Sequence, residues 1–556
     1  MSLTGPVRRI LFLVPPNITF QEFLHPPSNV KHVQQADGRV LGSVITDIPL
    51  GVISLSAYLK KHAEVETRLI DFNVYLNREK NFRADSFKEC FSQVLRERDV
   101  QAFNPEIVAL SAQFAPSYQN FLDLAACSRQ AFPDALVLGG GNLPTAVHQD
   151  IFRDSEAIDA ICYGEGERAL LALVQSGDPR SCLRGNASWV TRENAGSPEV
   201  CHHDFIWDLD EIPFLDYSLL DLEGYDLNPT MHYYTAGDAG RRGIPMMTSR
   251  GCPFQCIFCA AHRTHGREMR YHSVSRVIED AARLQSEFGA ETVIILDDHF
   301  MADPRRAYEI VERLFGMGLA LFFPNALAVY ALDREFLELL ARVGVTQVIL
   351  AVESGSERVL REVMHKPLNL GIVQRVAADC RELGIYTDCN ILIGLPGETP
   401  ADIEEARAFL KTIHADWFRI NVATPLPGSE MYEICEKRHY FKEDPLFGNY
   451  KKAVIETEDF TAQYIQDMSY MMNIELNFVF NANMRLGRFD TALNGFNNVI
   501  KAKHDHPLAH YYSGECYREI GNQARAEESF GLARQFARGS DFWERIIALF
   551  DIPVFL

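Results

Sequence analysis

The sequence has no long hydrophobic run and no excess of positive charge. Its first apolar stretch, ILFLV, follows Arg8 and Arg9 but ends at Pro15 and Pro16, so we expect neither a secretion signal nor a membrane span. The 54 Lys and Arg residues are outnumbered by 75 Asp and Glu residues, which gives a formal net charge of -21. Because nucleic-acid binding depends on clustered cationic side chains, this balance argues against a nucleic-acid surface.

Paired cysteines are also scarce. The 556 residues contain 12 cysteines, most of them isolated, which is unlike a disulfide framework. The exception is RGCPFQCIFCAAH, where Cys252, Cys256 and Cys259 have the spacing CxxxCxxC. Three such thiolates can hold three corners of a cubane iron-sulfur cluster and leave the fourth iron open to a small molecule. A structural zinc site would need a fourth ligand, and the nearest candidate, His262, has a spacing that no common zinc finger uses. Three unreactive buried cysteines so close together would be unusual.

With the aromatic Phe258 before its last cysteine, this motif resembles that of the radical S-adenosylmethionine (SAM) enzymes. Four downstream segments follow in the order expected of that family: ILDDHF, AVESGSERVL, ILIGLPGET and TPLPGSEMY. The resemblance implies a [4Fe-4S] cluster whose open iron is chelated by SAM, and which reductively cleaves SAM to a 5'-deoxyadenosyl radical. It also implies a cytoplasmic protein, because an exposed cluster would not survive an oxidising compartment.

The same resemblance assigns SAM contacts to these segments. Asp298 stands where many relatives carry a Gly-Gly-Glu segment that holds the SAM amino group. Glu353 and Ser354 fall near the ribose and carboxylate, and GLPGE flanks the adenine. The residues implied in SAM binding are Phe258, Asp298, Glu353, Ser354, Gly394 and Glu398. The ordinary alternative is that the acidic residues cap the helices that follow them. Cys380 and Cys389 lack CxxC partners, so we expect a single cluster.

Alternating strand-like and helical patterns predict an α/β multidomain fold. Up to Gly141, the runs RRILFLV, VETRLIDF, IVALSAQF and ALVLGGG alternate with helical patterns, which predicts a parallel, doubly wound, Rossmann-like sheet. From Ile244 onward, IPMMTSRG, ETVIILDD, LALFFPNALAVY, TQVILAVES, TDCNILIGL and WFRINVATPL predict the strands of a partial (β/α)6 barrel. Functional residues of such barrels lie at the carboxyl ends of strands, which is where the cysteine segment and the acidic residues of the motifs fall.

Two glycine-rich turns mark the N-terminal part. Neither GGGN nor YGEGE is a GxGxxG nucleotide fingerprint, and a tight turn alone would account for either. Together with PLGVISLSAYL they resemble the cobalamin-binding domain that precedes the barrel in one radical SAM subclass. The residues implied in cobalamin binding are Pro49, Gly51, Gly139, Gly140, Gly141, Asn142, Gly164, Glu165 and Gly166. The alternative is a Rossmann-like domain without a cofactor, because fold does not fix function.

One common cobalamin motif is absent. Many cobalamin domains supply a histidine to the cobalt from DxHxxG, and none of the 17 histidines here stands in such a motif. By resemblance to the subclass, cobalamin would lie with its own base displaced and no protein histidine beneath the cobalt. Loss of an axial donor makes reduction to Co(I) easier and favours methyl transfer. Gln113, Ser117, water or nothing could occupy the lower face.

The C-terminal part contains a repeat with the tetratricopeptide period. LGRFDTALNGF matches IGNQARAEESF, and Gly521 follows Gly487 by 34 residues. In such repeats a small Ala lets two helices approach, and Phe fills the seam. The helices would form either a groove for a partner protein or a buttress that closes the barrel. The predicted domains are 1–182 (cobalamin-binding), 183–240 (linker), 241–445 (barrel) and 446–556 (helical).

These expectations combine into a cobalamin-dependent radical SAM methyltransferase that acts on an unactivated carbon of a small molecule or lipid-like intermediate. The resemblance implies that the deoxyadenosyl radical abstracts hydrogen and that the carbon radical takes a methyl group from methylcobalamin. An external one-electron reductant such as flavodoxin or ferredoxin would reduce the cluster, and no catalytic residue of the chain itself is identified. Two alternatives stay open: a non-methylating cyclisation, ring contraction or rearrangement with the same cofactors, and a non-catalytic cluster-bearing scaffold.

Overall fold

The chain divides into two units, each built from segments that are separate in the sequence. The computed structural model describes residues 9–27, 30–197, 199–230, 241–443, 446 and 452–552. Unit 1 consists of Met1–Pro26, Lys31–Pro324 and Pro425–Asn449, and unit 2 consists of Pro27–Val30, Asn325–Thr424 and Tyr450–Leu556. None of the described helices is both long and apolar enough to cross a membrane.

Strands and helices alternate along most of the chain before a helical C-terminal part. The strands are β1 (Arg9–Val14), β2 (His32–Gln34), β3 (Val40–Gly42), β4 (Glu66–Asp71), β5 (Ile107–Ser111), β6 (Leu136–Gly140), β7 (Ala160–Cys162), β8 (Trp189–Thr191), β9 (Gly243–Met246), β10 (Ser249–Arg250), β11 (Arg270–Tyr271), β12 (Thr292–Ile295), β13 (Ala320–Phe322), β14 (Gln347–Glu353), β15 (Tyr386–Ile393) and β16 (Trp417–Val422). The helices are α1 (Phe20–Leu24), α2 (Leu50–His62), α3 (Phe72–Arg78), α4 (Phe87–Leu95), α5 (Arg98–Phe103), α6 (Tyr118–Ala131), α7 (Asn142–Ala146), α8 (His148–Asp154), α9 (Glu167–Gln175), α10 (Pro179–Gly185), α11 (Leu222–Tyr225), α12 (His262–His265), α13 (Val274–Phe288), α14 (Pro304–Gly316), α15 (Arg334–Arg342), α16 (Leu370–Glu382), α17 (Pro400–Leu410), α18 (Glu430–Arg438), α19 (Ala462–Ile474), α20 (Ala482–Arg485), α21 (Phe489–Ala502), α22 (Pro507–Glu519), α23 (Gln523–Ala537) and α24 (Asp541–Leu549).

The N-terminal part of unit 1 is a six-stranded sheet in the order β4-β1-β5-β6-β7-β8. Its neighbouring strands are parallel except β7 and β8, which are antiparallel. The run from Ile10 to Leu13 in β1 is at most 1% exposed, as expected of a parallel strand covered on both faces. The predicted Rossmann-like sheet is confirmed. Its strand order reverses between β1 and β5, and ligands of open α/β sheets bind at the carboxyl ends of the strands beside such a reversal.

The six strands predicted for the barrel are present. β9, β12 and β13 form a parallel sheet of unit 1 in the order β13-β12-β9, and β14, β15 and β16 form a parallel sheet of unit 2. A helix follows each of these strands in the chain except β9, which is followed by β10, and local signals explain where the helices begin and end. α13, for example, starts after Ser273, whose hydroxyl accepts the Arg276 N–H, and ends at Gly289 with φ 69°. The predicted (β/α) class is confirmed.

The C-terminal part of unit 2 is helical and covers the edge strand β16. Asn477 accepts the N–H of Phe418 at 2.8 Å and donates to its carbonyl oxygen at 2.7 Å. Asn483 donates to Asp416 at 3.0 Å. Because an uncovered edge strand offers unpaired backbone groups to other chains, these contacts protect the sheet. The helices therefore serve as a buttress for the sheet of unit 2.

The predicted repeat lies within these helices. Ala492 and Ala526 are 2% and 0% exposed, and Phe496 is 0% exposed, as expected of residues at a helix-helix seam. Helical structure is confirmed, while the tetratricopeptide assignment stays a prediction.

The predicted domain boundaries also stay predictions. α10 runs across residue 182, and β8, within the predicted linker, is the antiparallel edge strand of the N-terminal sheet. Residues 231–240 of that linker and the predicted junction at 445 lie outside the described residues.

Candidate functional site

The cysteine segment forms a loop that begins and ends at the two-residue ladder between β10 and β11. In this ladder, which we call the neck, Arg250 is paired with Arg270. Gly251 opens the loop with φ 97°, and a Cβ there would lie 2.3 Å from the carbonyl oxygen of Glu268. Only glycine fits such a position. The loop therefore has a fixed point of entry.

The three cysteines lie on this loop as half-buried free thiols. The pKa of the Cys252 thiol is raised to about 11, chiefly by burial; the Phe254 N–H opposes this, and the other two cysteines and Asp298 add to it. Thiolates this close repel each other, and a cationic metal centre removes that repulsion. No three metal-binding side chains of the described residues converge on one ion position. A cubane instead takes each thiolate on a different iron, so the donor set fits a [4Fe-4S] cluster.

Residues from α18 and its preceding turn contact the loop. Arg263, just after the last cysteine, donates from Nε to the carbonyl oxygen of Gly428 in the PLPG turn at 2.8 Å. The Met431 N–H donates to the carbonyl oxygen of Ile257 at 2.8 Å. Phe258, one of the predicted SAM residues, is half-buried beside this contact. The PLPG motif thus belongs to the same site as the cysteines.

Two adjacent carboxylates follow β12. Asp297 is 3% exposed and accepts the Thr248 N–H, the Thr248 hydroxyl and the Ser249 hydroxyl, each at 2.6 Å. These donors lie at the entry to the neck, so Asp297 fixes the approach to the cysteine loop. Asp298 is half-buried, and its Oδ2 has no hydrogen-bond partner among the described residues. A buried acceptor without a donor suits a ligand that carries one, such as the amino group of SAM.

Two other predicted SAM residues lie at the carboxyl end of β14 in unit 2: Glu353 is its last residue, and Ser354 follows it. Glu353 has φ 66° and lies 3.6 Å from Lys366 Nζ. Burial raises the pKa of its carboxyl, and Lys366 acts in the opposite direction. Ser354 is 1% exposed, and its hydroxyl accepts the Ser356 N–H at 3.1 Å. Positive φ in a non-glycine residue is strained, and such strain is concentrated at functional sites.

Gly394 and Glu398 form a closed turn after β15. Glu398 is fully buried, and its Oε2 accepts the N–H groups of Gly394 at 2.6 Å and Leu395 at 3.2 Å. Its Oε1 has no hydrogen-bond partner among the described residues. Burial raises the pKa of the Glu398 carboxyl to about 7, although the two N–H groups oppose this. The alternative that Glu398 caps the next helix is wrong, because α17 is capped by Thr399.

The three glycines of the turn after β6 differ in the space around them: Gly139 and Gly141 are closely packed, and Gly140 is open. A Cβ on Gly139 would lie 2.9 Å from Phe121, and one on Gly141, where φ is 95°, would lie 2.5 Å from the Ala112 carbonyl oxygen. At Gly140 nothing lies within 4 Å of the Cβ position. This opening at the carboxyl end of β6 fits the approach of a cofactor.

The other residues implied at the cofactor crevice are spread around it. Pro49 precedes α2, and Gly51 is exposed with nothing within 4 Å of its Cβ position. A Cβ on Gly166 would lie 3.2 Å from a methyl group of Leu55 in α2. In the segment after β5, Gln113 is exposed and Ser117 is 2% exposed. Their roles at cobalamin stay predictions.

The Gly-Glu-Gly turn after β7 contacts the cysteine segment. The Glu165 carboxylate is 3% exposed and accepts from Arg270 at 2.5 and 2.8 Å, from Arg250 at 3.0 Å and from His265 at 3.0 Å. Burial alone would raise the pKa of this carboxyl, but Arg250, Arg270 and the hydrogen bond from His265 hold it well below its usual range. Gly164 has φ 75°, and a Cβ there would lie 2.4 Å from His203 Nδ1. The assignment of Glu165 to cobalamin stays a prediction, and its observed partners belong to the protein.

Unit 1 thus brings together the cysteine loop, Asp298 and both glycine turns. Glu353, Ser354, Gly394 and Glu398 belong to unit 2. Sequence patterns did not identify Arg250, His265 and Arg270 as partners of Glu165. One signal was available, because the two arginines flank the cysteine segment and the YGEGE motif carries two acids.

Comparisons with known proteins agree with this arrangement. The B12 binding domain model matches residues 41–174, and the Radical SAM superfamily model matches residues 246–410. The chain is 27% identical over 409 residues to an uncharacterized methyltransferase of Pyrococcus horikoshii, which covers 72% of this chain and 81% of that protein. It is 28% identical over 453 residues to the cytidylyl-2-hydroxyethylphosphonate methyltransferase of Streptomyces wedmorensis, covering 73% and 82%.

A solved structure shares the fold. The radical S-adenosylmethionine methyltransferase TsrM from Kitasatospora setae, with cobalamin and a [4Fe-4S] cluster bound, matches with a TM-score of 0.57 and 16% identity. The match covers 96% of this chain and 100% of that one. The chain thus carries a B12 binding domain ahead of a Radical SAM superfamily domain.

Proposed function

We propose that this protein is a cobalamin-dependent radical SAM methyltransferase that methylates an unactivated carbon of a small molecule. One observation carries the proposal: the GGGN turn, which is implied in cobalamin binding, is hydrogen-bonded to α12, the helix that follows the three cysteines. Thr264 Oγ1 donates to Asn142 Oδ1 at 2.7 Å. A hydrogen-abstracting group and a methyl donor must reach the same substrate carbon, so contact between their binding regions suits methyl transfer. The similarity to two methyltransferases supports the same conclusion.

The residues of this chain have distinct tasks in that function. When bound, SAM on the [4Fe-4S] cluster supplies a hydrogen-abstracting radical, and cobalamin supplies the methyl group. Cys252, Cys256 and Cys259 hold three irons. Asp298, with its buried acceptor oxygen, receives a donor of SAM. Gly140 leaves room for cobalamin above the carboxyl end of β6.

Further partners follow from the chemistry of a reduced cluster. An external one-electron carrier of the flavodoxin or ferredoxin type would deliver the electron, in a reducing cytoplasmic compartment where free thiols persist. The C-terminal helices, beside their role as a buttress, would offer a face to a partner protein. The acidic net charge argues against a nucleic-acid partner, and none of the described helices could span a membrane.

The test starts with cofactor content. The protein is purified anaerobically after expression with cobalamin, and iron, sulfide and cobalamin are measured per chain, together with EPR spectra of the reduced cluster and of cob(II)alamin. About four irons and one base-off cobalamin are expected. A cluster without stoichiometric cobalamin would refute methyl transfer from cobalamin. Absence of SAM cleavage under reduction would instead support the scaffold alternative.

Product analysis separates methylation from the rearrangement alternative. A methyltransferase that uses SAM twice forms S-adenosylhomocysteine alongside 5'-deoxyadenosine, whereas a cyclisation or rearrangement with the same cofactors forms only the latter. Both products are measured by mass spectrometry with candidate substrates. S-adenosylhomocysteine missing from every reaction that forms 5'-deoxyadenosine would favour the alternative.

A further inference from the structure

The neck of the cysteine loop places two positive charges opposite each other. Arg250 and Arg270 are paired in an antiparallel ladder of two residue pairs, and their side chains are 10% and 1% exposed. Like charges opposite each other destabilise an antiparallel pair. A ladder this short has few hydrogen bonds to oppose the repulsion. The neck therefore needs a compensating anion.

The B12-binding domain supplies that anion. Arg270 donates to both oxygens of Glu165 in a bidentate pair, and Arg250 Nη1 lies 3.0 Å from Oε2. His265, within the loop, lies 3.0 Å away through Nδ1, which carries a proton because an ionised carboxylate only accepts. One carboxylate thus contacts the residue before the loop, a residue within it and the residue after it.

Neighbouring contacts complete the charge balance. Arg250 also donates to Glu167 at 2.9 Å, and Ser54 donates to the same carboxylate oxygen at 2.7 Å. Two buried arginines therefore face two buried glutamates. Loss of one glutamate leaves an uncompensated buried cation, which is far more disruptive than loss of an exposed ion pair.

We propose that Glu165 is a positioning residue for the cluster, because it holds the neck closed and so sets the spacing of the three cysteines. It acts through Arg250, His265 and Arg270. In this way the order of the cysteine loop depends on the folded B12-binding domain. The inference rests on the proposed function only in taking the three cysteines as cluster ligands.

The first experiment compares Glu165→Gln with Glu287→Gln in the cofactor-free protein. Glu287 pairs with Arg283 at 2.8 Å on α13 and is 46% exposed, so its variant removes an Arg-Glu pair at the surface. Hydrogen exchange of residues 248–272 is measured by mass spectrometry. In Glu165→Gln, exchange of this segment is expected to be at least about tenfold faster than in wild type, because this variant opens the neck. In Glu287→Gln, the exchange rate is expected to equal that of wild type. Wild-type exchange in a folded Glu165→Gln would overturn the proposal.

A second readout follows anaerobic reconstitution. Glu165→Gln is expected to bind less than half of the wild-type iron and to show an altered EPR spectrum of the reduced cluster, and Glu287→Gln is expected to match wild type. The double variant E165Q/R270Q removes one charge of each sign, so it keeps the fold where the single change does not. Because the double variant also removes the repulsion between Arg250 and Arg270, it is expected to bind more iron than Glu165→Gln. Full iron with a wild-type spectrum in a folded Glu165→Gln, or a folded double variant that binds no more iron than the single one, would overturn the proposal. Unfolding of both variants would reduce Glu165 to a general structural role.

Failure of the proposed function would look different. In that case wild-type protein would bind no iron, while the exchange difference between Glu165→Gln and Glu287→Gln would persist.

Discussion

Replacement of Glu398 by glutamine should make the stability of the turn after β15 independent of pH. The carboxyl has a pKa of about 7 in the folded protein against an ordinary value of 4.5, because it is buried. Between these values the folded state keeps a proton that the unfolded chain releases. The resulting stabilisation is fully present below pH 4.5 and is lost as the pH rises through about 7. The difference between these two pKa values corresponds to roughly 3 kcal/mol of stabilisation.

Hydrogen exchange of residues 391–403 is the suitable assay, because a chain of two units is not expected to unfold in one step. After correction for intrinsic rates, protection in the wild-type apoprotein should fall roughly 100-fold between about pH 5 and about pH 8. Glu398→Gln keeps an acceptor for the two N–H groups and cannot ionise, so its protection should stay constant. Glu404→Gln, on the exposed side of α17, is the matched control and should follow wild type.

Two outcomes would refute this reasoning. Constant protection in the wild type would mean that Glu398 keeps an ordinary pKa despite its burial. A pH dependence that persists in Glu398→Gln would assign the titration to another group of the turn.

Three further changes test the site and its support. Gly140→Ala should leave the stability of the apoprotein unchanged but weaken cobalamin binding about tenfold or more in equilibrium dialysis, because the Cβ fills only open space; unchanged binding would contradict a cofactor at this turn. Alanine at any of the three cluster cysteines should abolish the reduced-cluster EPR signal, whereas Cys380→Ala should retain it; a persisting signal would exclude the lost residue as a ligand. Asn477→Ala removes two hydrogen bonds to the edge strand and should destabilise unit 2 by roughly 2 kcal/mol in urea unfolding, whereas the exposed Asn498→Ala should not; equal midpoints would refute the buttress.

Local patterns accounted for much of the secondary structure, and they also carry the assignment of the cluster ligands, which stays a prediction. The cysteine spacing is a contiguous signal, and apolar runs such as that from Ile10 to Leu13 identify strands because a parallel sheet buries both of their faces. Gly141 was predictable as a turn residue, and its φ of 95° gives the physical reason. Each of these signals lies within a few consecutive residues of the chain.

The ion pairs behind the cysteine loop could not be predicted in this way. Glu165 meets Arg270 across 105 positions, and neither periodicity nor spacing reports a contact over that distance. The cobalamin contact that the motif implies for Glu165 stays a prediction, and the structure adds two buried arginines beside its carboxylate. A motif identifies a turn, and only the fold identifies what that turn faces.

The contact between the cysteine loop and the PLPG turn has a consequence for biosynthesis. Arg263 and its acceptor Gly428 are 165 positions apart, and at roughly 5–20 residues per second about 10–30 seconds separate their translation. During that interval a nascent chain exposes its cysteines without the last segment that holds them. This contact of the loop thus forms only after Gly428 has been synthesised, and we expect iron loading to follow that step.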